Sequence, residues 1–201
     1  MCEGYMDVIS MHQAGFDNAV ASLGTAYTEE QARLLKRYRN YVYLAYDNDG
    51  AGQKAALRAI EICRNVDLPA RVISMAPYKD PDEFIKNLGA EEYEKRLQQS
   101  ISGIMFELQV LAQQYRLEDP EERTQFQREM AKRLATIGDV YERENYIEAA
   151  AAQYQMNPRS ILNMVNRVGE QQQKTAGYER LQEEDRQNHR REVEKAKDGN
   201  L

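Results

Sequence analysis

The chain contains 201 residues with a formal net charge of −6, and 30% of its residues are charged. It has no run of about 20 apolar residues, which a membrane-spanning helix requires. Its two cysteines are too few for a disulfide framework or a thiolate zinc site, so we expect a reducing, cytoplasmic setting. The acidic balance argues at first against nucleic-acid binding, because proteins that bind phosphate backbones are usually basic.

The first part of the chain alternates helical patterns with short apolar runs. A helix is predicted over Asp7–Ala14, because Gly15 is a residue type favoured directly after a helix. The next run, Asn18–Ser22, is predicted to be a strand. Thr28–Arg37 is predicted to be a helix, because it opens with the Thr-x-x-Gln capping pattern.

Two further apolar runs, Tyr41–Tyr46 and Ala70–Met75, are predicted strands, and Ala51–Arg64 between them is a predicted helix. The first run is apolar on both faces, which suits a strand that is covered on both sides. This alternation predicts an α/β fold with a mostly parallel sheet and flanking helices. Another strand ends at Met1-Cys2 with almost no strand before it, so we expect either a longer natural N-terminal portion or a misassigned initiator.

The second part of the chain is predicted to be a small all-α bundle, because residues 91–168 show no strand pattern. Helices are predicted to start at Asp119-Pro120 and at Asn157-Pro158. After Gly169 the apolar content falls, which indicates a charged, polar tail. The apolar positions predicted to form the bundle core are Phe126, Met130, Leu134 and Ile137. The predicted organisation is therefore an α/β domain over 1–95, a helical subdomain over 96–169 and a linker or tail over 170–201.

Acidic pairs follow three of the predicted strands, where ligands of open α/β sheets gather. Carboxylate oxygens without nearby His or Cys suit a hard cation such as Mg²⁺. The simpler interpretation also stands, because Asp is common at helix N-caps and turns. By that interpretation Asp7 is an N-cap, and Asp80 and Asp82 are turn and helix-start residues. The candidate metal ligands are Glu3, Asp7, Asp47, Asp49, Asp80 and Asp82.

Four segments together resemble successive motifs of one family, the bacterial DnaG-type DNA primases. They are Glu3–Asp7 (EGYMD), Ala21–Ala26 (ASLGTA), Tyr46–Gly52 (YDNDGAG) and Lys79–Phe84 (KDPDEF). The resemblance implies a TOPRIM domain over 1–95 and the helical subdomain of the RNA polymerase core over 96–169. It also implies that the family's zinc-binding and helicase-binding domains lie outside the chain.

By this resemblance, we expect divalent-metal-dependent synthesis of short RNA primers on a single-stranded DNA template from ribonucleoside triphosphates. Glu3 resembles the motif glutamate that acts as general acid or base or associates with metal. Asp47 and Asp49 resemble the Asp-x-Asp pair that binds Mg²⁺ or Mn²⁺. Lys54 is a candidate phosphate contact or a solvated helix residue, and Lys79 contacts phosphate or pairs with Asp82.

The resemblance also implies partners and leaves alternatives open. The replicative helicase would bind through the missing C-terminal domain, and zinc would belong to the missing N-terminal domain. Alternatively, the chain is a catalytically incomplete metal-binding or interaction module, or another TOPRIM enzyme of the nuclease or topoisomerase type. The KDPDEF motif favours primase. Because bound divalent ions would offset acidic charge, the net charge of −6 does not exclude nucleic acid.

Overall fold

A computed structural model describes residues 1–23 and 26–171 of the chain. It divides into two compact units, Met1–Val110 and Leu111–Leu201. Gly24 and Thr25 of the ASLGTA motif lie outside the described residues, as does the predicted tail beyond residue 171. Among the described residues, no helix is long and apolar enough to cross a bilayer.

The first unit contains a small mixed sheet, which in the described residues has three strands in the order β1-β2-β3. β1 (Val42–Leu44) pairs with β2 (Ala70–Val72) in parallel, with Val42 opposite Ala70. β3 (Ile101–Ser102) pairs with β2 in the antiparallel direction. The predicted α/β fold class is confirmed, and the parallel pairing that was predicted is seen between β1 and β2.

The chain's first residues continue this sheet beyond β1. The Met1 amino group donates to the Tyr43 carbonyl at 2.9 Å, and the Ala45 N–H donates to the Met1 carbonyl at 2.9 Å. Cys2 forms an isolated parallel bridge with Ala21. The predicted strand end at Met1-Cys2 therefore lies beside β1, where its last residues lead directly into the EGYMD motif.

Among the described residues, five helices begin within the first unit, and their starts follow local chemistry. Thr28 caps the helix Glu29–Lys36 (α2) and exchanges hydrogen bonds with Gln31 in the predicted capping box. Gly15 has a φ of +96°, which a glycine adopts without steric strain. The helices are α1 (Tyr5–Gln13), α2 (Glu29–Lys36), α3 (Gly50–Asn65), α4 (Pro81–Gln98, kinked at Gly89) and α5 (Gly103–Ala112).

Two strand predictions were wrong. Within the described residues, Asn18–Ser22 contributes a single bridge through Ala21 instead of a strand. Residues 91–168, predicted to be free of strands, contain β3. A two-residue strand is too short to show alternation. It is a strand because it pairs with β2, and next to this pairing the Arg71 Nε donates to the Ser100 hydroxyl at 2.9 Å.

The sheet is covered on both faces, as the apolar pattern of Tyr41–Tyr46 predicted. Successive residues of a strand point to opposite faces. Leu44 lies in one buried cluster with residues of α2 and α3, whereas Ala45 lies in a second cluster with residues of α1 and α4. Val72 and Ile73 divide between the same two clusters. This packing holds the ends of the strands in place, and the acidic motifs follow directly after those ends.

The second unit is helical where it is described. Asp119 caps α6 (Pro120–Ala135) by accepting from the Glu121 and Glu122 N–H groups. It is followed by α7 (Val140–Gln153) and by a helix described over residues 158–171, whose first N–H groups are capped by Asn157. The four predicted core positions are all buried: Phe126, Met130, Leu134 and Ile137.

Candidate functional site

The loop after β1 is built against the start of α3. The Asp49 carboxylate caps this helix, accepting from the Ala51 N–H at 2.9 Å and from the Gly52 N–H at 2.7 Å. Gly52 allows a close approach, because a Cβ atom there would lie 2.1 Å from the Asp47 carbonyl oxygen. The Asp47–Asp49 turn is therefore held in place by the helix N-terminus.

Glu3 joins the first acidic motif to this loop. Its Oε1 atom accepts a hydrogen bond from the Asp47 N–H at 3.1 Å, across 44 residues of sequence. The contact follows from the pairing of Met1 with β1, which places the EGYMD motif beside the end of that strand.

Asp7 occupies the third position of α1 and is 6% exposed. Its carboxylate accepts from the Gly4 N–H at 3.1 Å, and Gly4 is the N-cap. The interpretation of Asp7 as the N-cap was therefore wrong. Burial raises the pKa of Asp7, and the charges of Asp80 and Asp47 raise it further, whereas hydrogen bonds from the Gly4 and Asp82 N–H groups oppose the rise.

The third acidic motif begins α4 and lies against the loop after β1. Asp80 is the N-cap and accepts from the Glu83 N–H at 2.8 Å. The Asn48 N–H donates to the Lys79 carbonyl at 2.6 Å, and the Lys79 ammonium lies 3.3 Å from Asp47 Oδ2. Asp47 is the foremost cause of the raised pKa of Lys79.

Asp82 has other partners, so the alternative of a Lys79–Asp82 pair was wrong. The Lys86 ammonium lies 2.6 Å from Asp82 Oδ2, and the Ser10 hydroxyl donates to the other oxygen. Lys86 and then Ser10 lower the pKa of Asp82. Neither Ser10 nor Lys86 was predicted as a site residue. The pairing of Lys86 with Asp82 could have been predicted, because the two residues lie one helical turn apart. The contact of Ser10 with Asp82 could not, because it spans 72 residues.

These contacts connect all three acidic motifs, yet they do not form a preformed metal cage. In the described part of the chain, no group of three His, Cys, Asp or Glu side chains is placed to hold a metal ion. Mg²⁺ commonly uses one or two protein carboxylates together with water and substrate phosphates. The carboxylate oxygens of Glu3, Asp47 and Asp49 are hard donors that fit a cation held in that way. Lys54 lies exposed on α3.

The comparisons with known proteins agree with the motifs. The family model described as Toprim-like matches residues 1–85, and that described as the DnaB-helicase binding domain of primase matches residues 104–159. The DNA primase of Clostridium acetobutylicum is 35% identical over 164 residues, which are 82% of this chain and 27% of the relative. A solved DnaG primase catalytic domain bound to single-stranded DNA matches with a TM-score of 0.65 at 29% identity, covering 79% of this chain and 51% of that chain.

The chain belongs to the bacterial DnaG-type DNA primases. Another solved primase, the zinc-binding and RNA polymerase domains from Aquifex aeolicus, matches with a TM-score of 0.60 at 30% identity. That match covers 80% of this chain and 38% of the Aquifex chain. The chain spans 27% and 28% of the lengths of the first two curated primases it matches.

The helicase-binding match changes one expectation for this primase segment. Helicase contact was expected from a domain outside the chain. The match to the helicase-binding family model instead covers residues 104–159 of this chain. These residues lie within the segment predicted to be the helical subdomain.

Proposed function

We propose that this chain supplies the metal- and nucleotide-binding part of a DNA primase, a nucleotidyltransferase that makes short RNA primers on single-stranded DNA. The main observation behind this proposal is that three acidic motifs contact one another. Hydrogen bonds and an ion pair of Glu3, Asp47 and Lys79 connect them. The family membership and the solved relative bound to single-stranded DNA support it. The protein would act in the bacterial cytoplasm, at the replication fork.

The site residues have distinct roles in this proposal. Asp47 and Asp49 would hold Mg²⁺ or Mn²⁺, with Glu3 beside them as a metal-associated residue or general acid or base. When bound, such a cation stabilises negative charge on the attacking and leaving oxygens of nucleotidyl transfer. Asp7, Asp80 and Asp82 complete the acidic patch, and Lys54 and Lys79 would contact the triphosphate of the incoming ribonucleotide. Zinc would belong to a domain such as that in the Aquifex primase.

The direct test is template-directed primer synthesis by the complete gene product that carries this sequence. We expect Asp47→Ala and Asp49→Ala each to lower the rate by about 100-fold or more, because each removes charge stabilisation at the reacting phosphates. Asp17→Ala is the matched control, because Asp17 is an exposed acid outside the three motifs. Unchanged synthesis in both site variants would contradict the metal-ligand assignment.

The chain of 201 residues by itself is expected to bind Mn²⁺ weakly and to make few or no primers. It spans only about a quarter of the length of its relatives, and its net charge of −6 disfavours binding to the phosphate backbone of a template. Robust primer synthesis by the isolated chain would exclude the incomplete-module alternative.

A second function, binding of the replicative helicase, is favoured by the family match over residues 104–159. At the start of α7 in this segment, Val140 is 50% exposed and Tyr141 is 79% exposed. Exposed aromatic side chains are frequent anchors of protein interfaces. We infer that this end of α7 contacts the helicase.

The chain should therefore bind the replicative helicase of its own organism in a calorimetric titration. Tyr141→Ala is expected to weaken binding about tenfold or more. Tyr38→Ala, which removes a tyrosine that is 70% exposed outside the matched segment, is the control. Equal binding by both variants would argue against this surface, and no binding by the chain would argue against the function.

A further inference from the structure

The main chain of Lys79 is fixed between two of the acidic motifs. Its N–H donates to Glu83 Oε2 at 3.2 Å, and its carbonyl accepts from the Asn48 N–H at 2.6 Å. The side chain beyond this anchor is 59% exposed. Lys79 therefore combines a held backbone with an ammonium group that has room to move.

The ammonium group now neutralises a candidate metal ligand. It lies 3.3 Å from Asp47 Oδ2, and the Asp47 side chain is 21% exposed. A divalent ion on that carboxylate would stand within a few ångströms of the lysine charge. Two cations at such a separation repel each other, and an exposed ion pair is weak enough to exchange.

We propose that Lys79 is the resident counter-ion of Asp47, and that an arriving divalent cation displaces its ammonium group, which then becomes available to a phosphate of the nucleotide. The inference rests on the metal site of the proposed function. By this inference, Lys79 first competes with the metal for Asp47 and afterwards contacts the triphosphate.

The exchange requires little reorganisation. The anchored backbone keeps the lysine at the rim of the site, so the free ammonium stays within a side chain's length of Asp47. Because the ammonium group is already largely in water, its departure costs little desolvation or packing. In the metal-free protein, the same contact reduces repulsion of Asp47 by the neighbouring acidic motifs.

The test is Mn²⁺ affinity of the 201-residue chain, measured by electron paramagnetic resonance of the free ion, so that it does not depend on catalysis. Lys79→Met should bind Mn²⁺ about three- to tenfold more tightly, because the competing charge is gone. Lys79→Arg should remain within about twofold of the wild type, because it keeps the charge. Lys95→Met is the matched control: Lys95 is 53% exposed and lies 3.1 Å from Glu92, away from the acidic motifs.

A second measurement follows ribonucleoside triphosphate binding at saturating Mn²⁺. Here Lys79→Met should weaken binding about tenfold, the opposite direction to its effect on the metal. Loss of folding would not produce opposite effects on the two ligands, and circular dichroism checks it directly.

The outcomes separate this inference from the function on which it rests. If Asp47→Asn abolishes Mn²⁺ binding but Lys79→Met leaves it unchanged or weaker, the counter-ion role is overturned and the metal site stands. If the wild type binds no Mn²⁺, or Asp47→Asn binds it normally, the proposed metal site itself is overturned. Tighter Mn²⁺ binding in Lys79→Met together with weaker triphosphate binding supports the exchange.

Discussion

At the scale of single residues, Gly52 shows how a small side chain positions a charged one. It lies in the first turn of α3, where its missing Cβ leaves space for the Asp47 backbone. The atoms that a Cβ would meet belong to the main chain of the site loop, so they cannot rotate away. The structural role of Gly52 is therefore to allow this close backbone approach.

Gly52→Ala should destabilise the chain by about 1–3 kcal/mol, because overpacking against backbone forces the loop to shift. The measurement is the free energy of unfolding in urea. Gly50→Ala is the control, because a Cβ at Gly50 meets nothing within 4 Å. It should change stability by no more than about 0.5 kcal/mol. Equal effects of the two substitutions would contradict the role of the close approach.

At the scale of secondary-structure elements, two of the proposed metal ligands also begin helices. Asp49 caps α3 and Asp80 caps α4, as Asp119 caps α6 far from the site in sequence. The structural interpretation of Asp80 was therefore correct as far as it goes. A cap uses one carboxylate oxygen and leaves the negative charge in place, so capping does not exclude a metal role.

Asn caps a helix about as well as Asp but carries no charge, so Asp49→Asn separates the two roles. It should keep the stability of the chain within about 0.5 kcal/mol, whereas Asp49→Ala should lose about 1 kcal/mol. Both should lower the rate of primer synthesis by the complete gene product by about 100-fold or more.

Asp119→Ala controls for capping alone, because Asp119 also accepts two N–H groups. It should lose about 1 kcal/mol of stability and retain synthesis. Full synthesis by Asp49→Asn, with loss in Asp49→Ala, would show that Asp49 serves only as a cap.

At the scale of the whole molecule, the packing of α1 against α4 buries an acid at the centre of the site. Asp7 lies on the buried face of α1 and accepts from the Asp82 N–H at the start of α4. Its pKa is raised, chiefly by burial. The folded state therefore holds the Asp7 proton more tightly than the unfolded state does. This contribution to stability is complete at low pH and is lost as pH rises through the folded pKa.

Asp7→Asn should therefore increase the free energy of unfolding at pH 7 in metal-free buffer, because it removes an ionised group from a buried position. The gain should shrink as the pH is lowered towards the ordinary carboxyl range. Asn keeps an oxygen for the Gly4 N–H. Urea unfolding from pH 4 to pH 8 measures the effect, with Asp17→Asn as the exposed control. A loss of stability at pH 7 that does not vary with pH would contradict the prediction.

Local sequence patterns predicted those features that depend on hydrogen bonds and backbone conformations within a few neighbouring residues. The capping box at Thr28, the cap at Asp119 and the left-handed Gly15 depend on neighbours two or three positions away, so the sequence displays them directly. The buried stripe from Phe126 to Ile137 follows from helical periodicity. Strand β3 was not predicted, because its two residues are too few to show an apolar alternation. It is a strand because it pairs with β2.

The sequence by itself determined the family, the acidic residue set and the α/β-then-helical order of the chain. Tertiary structure decided which of those acids meet and what neutralises them. Glu3 reaches the Asp47 backbone across 44 residues, and Asp82 is held by Ser10 across 72. Lys79 pairs with Asp47 because the strand ends place their two loops together. These contacts depend on how the sheet and the helices pack. They join residues far apart in the chain, so they cannot be predicted from the spacing of the motifs.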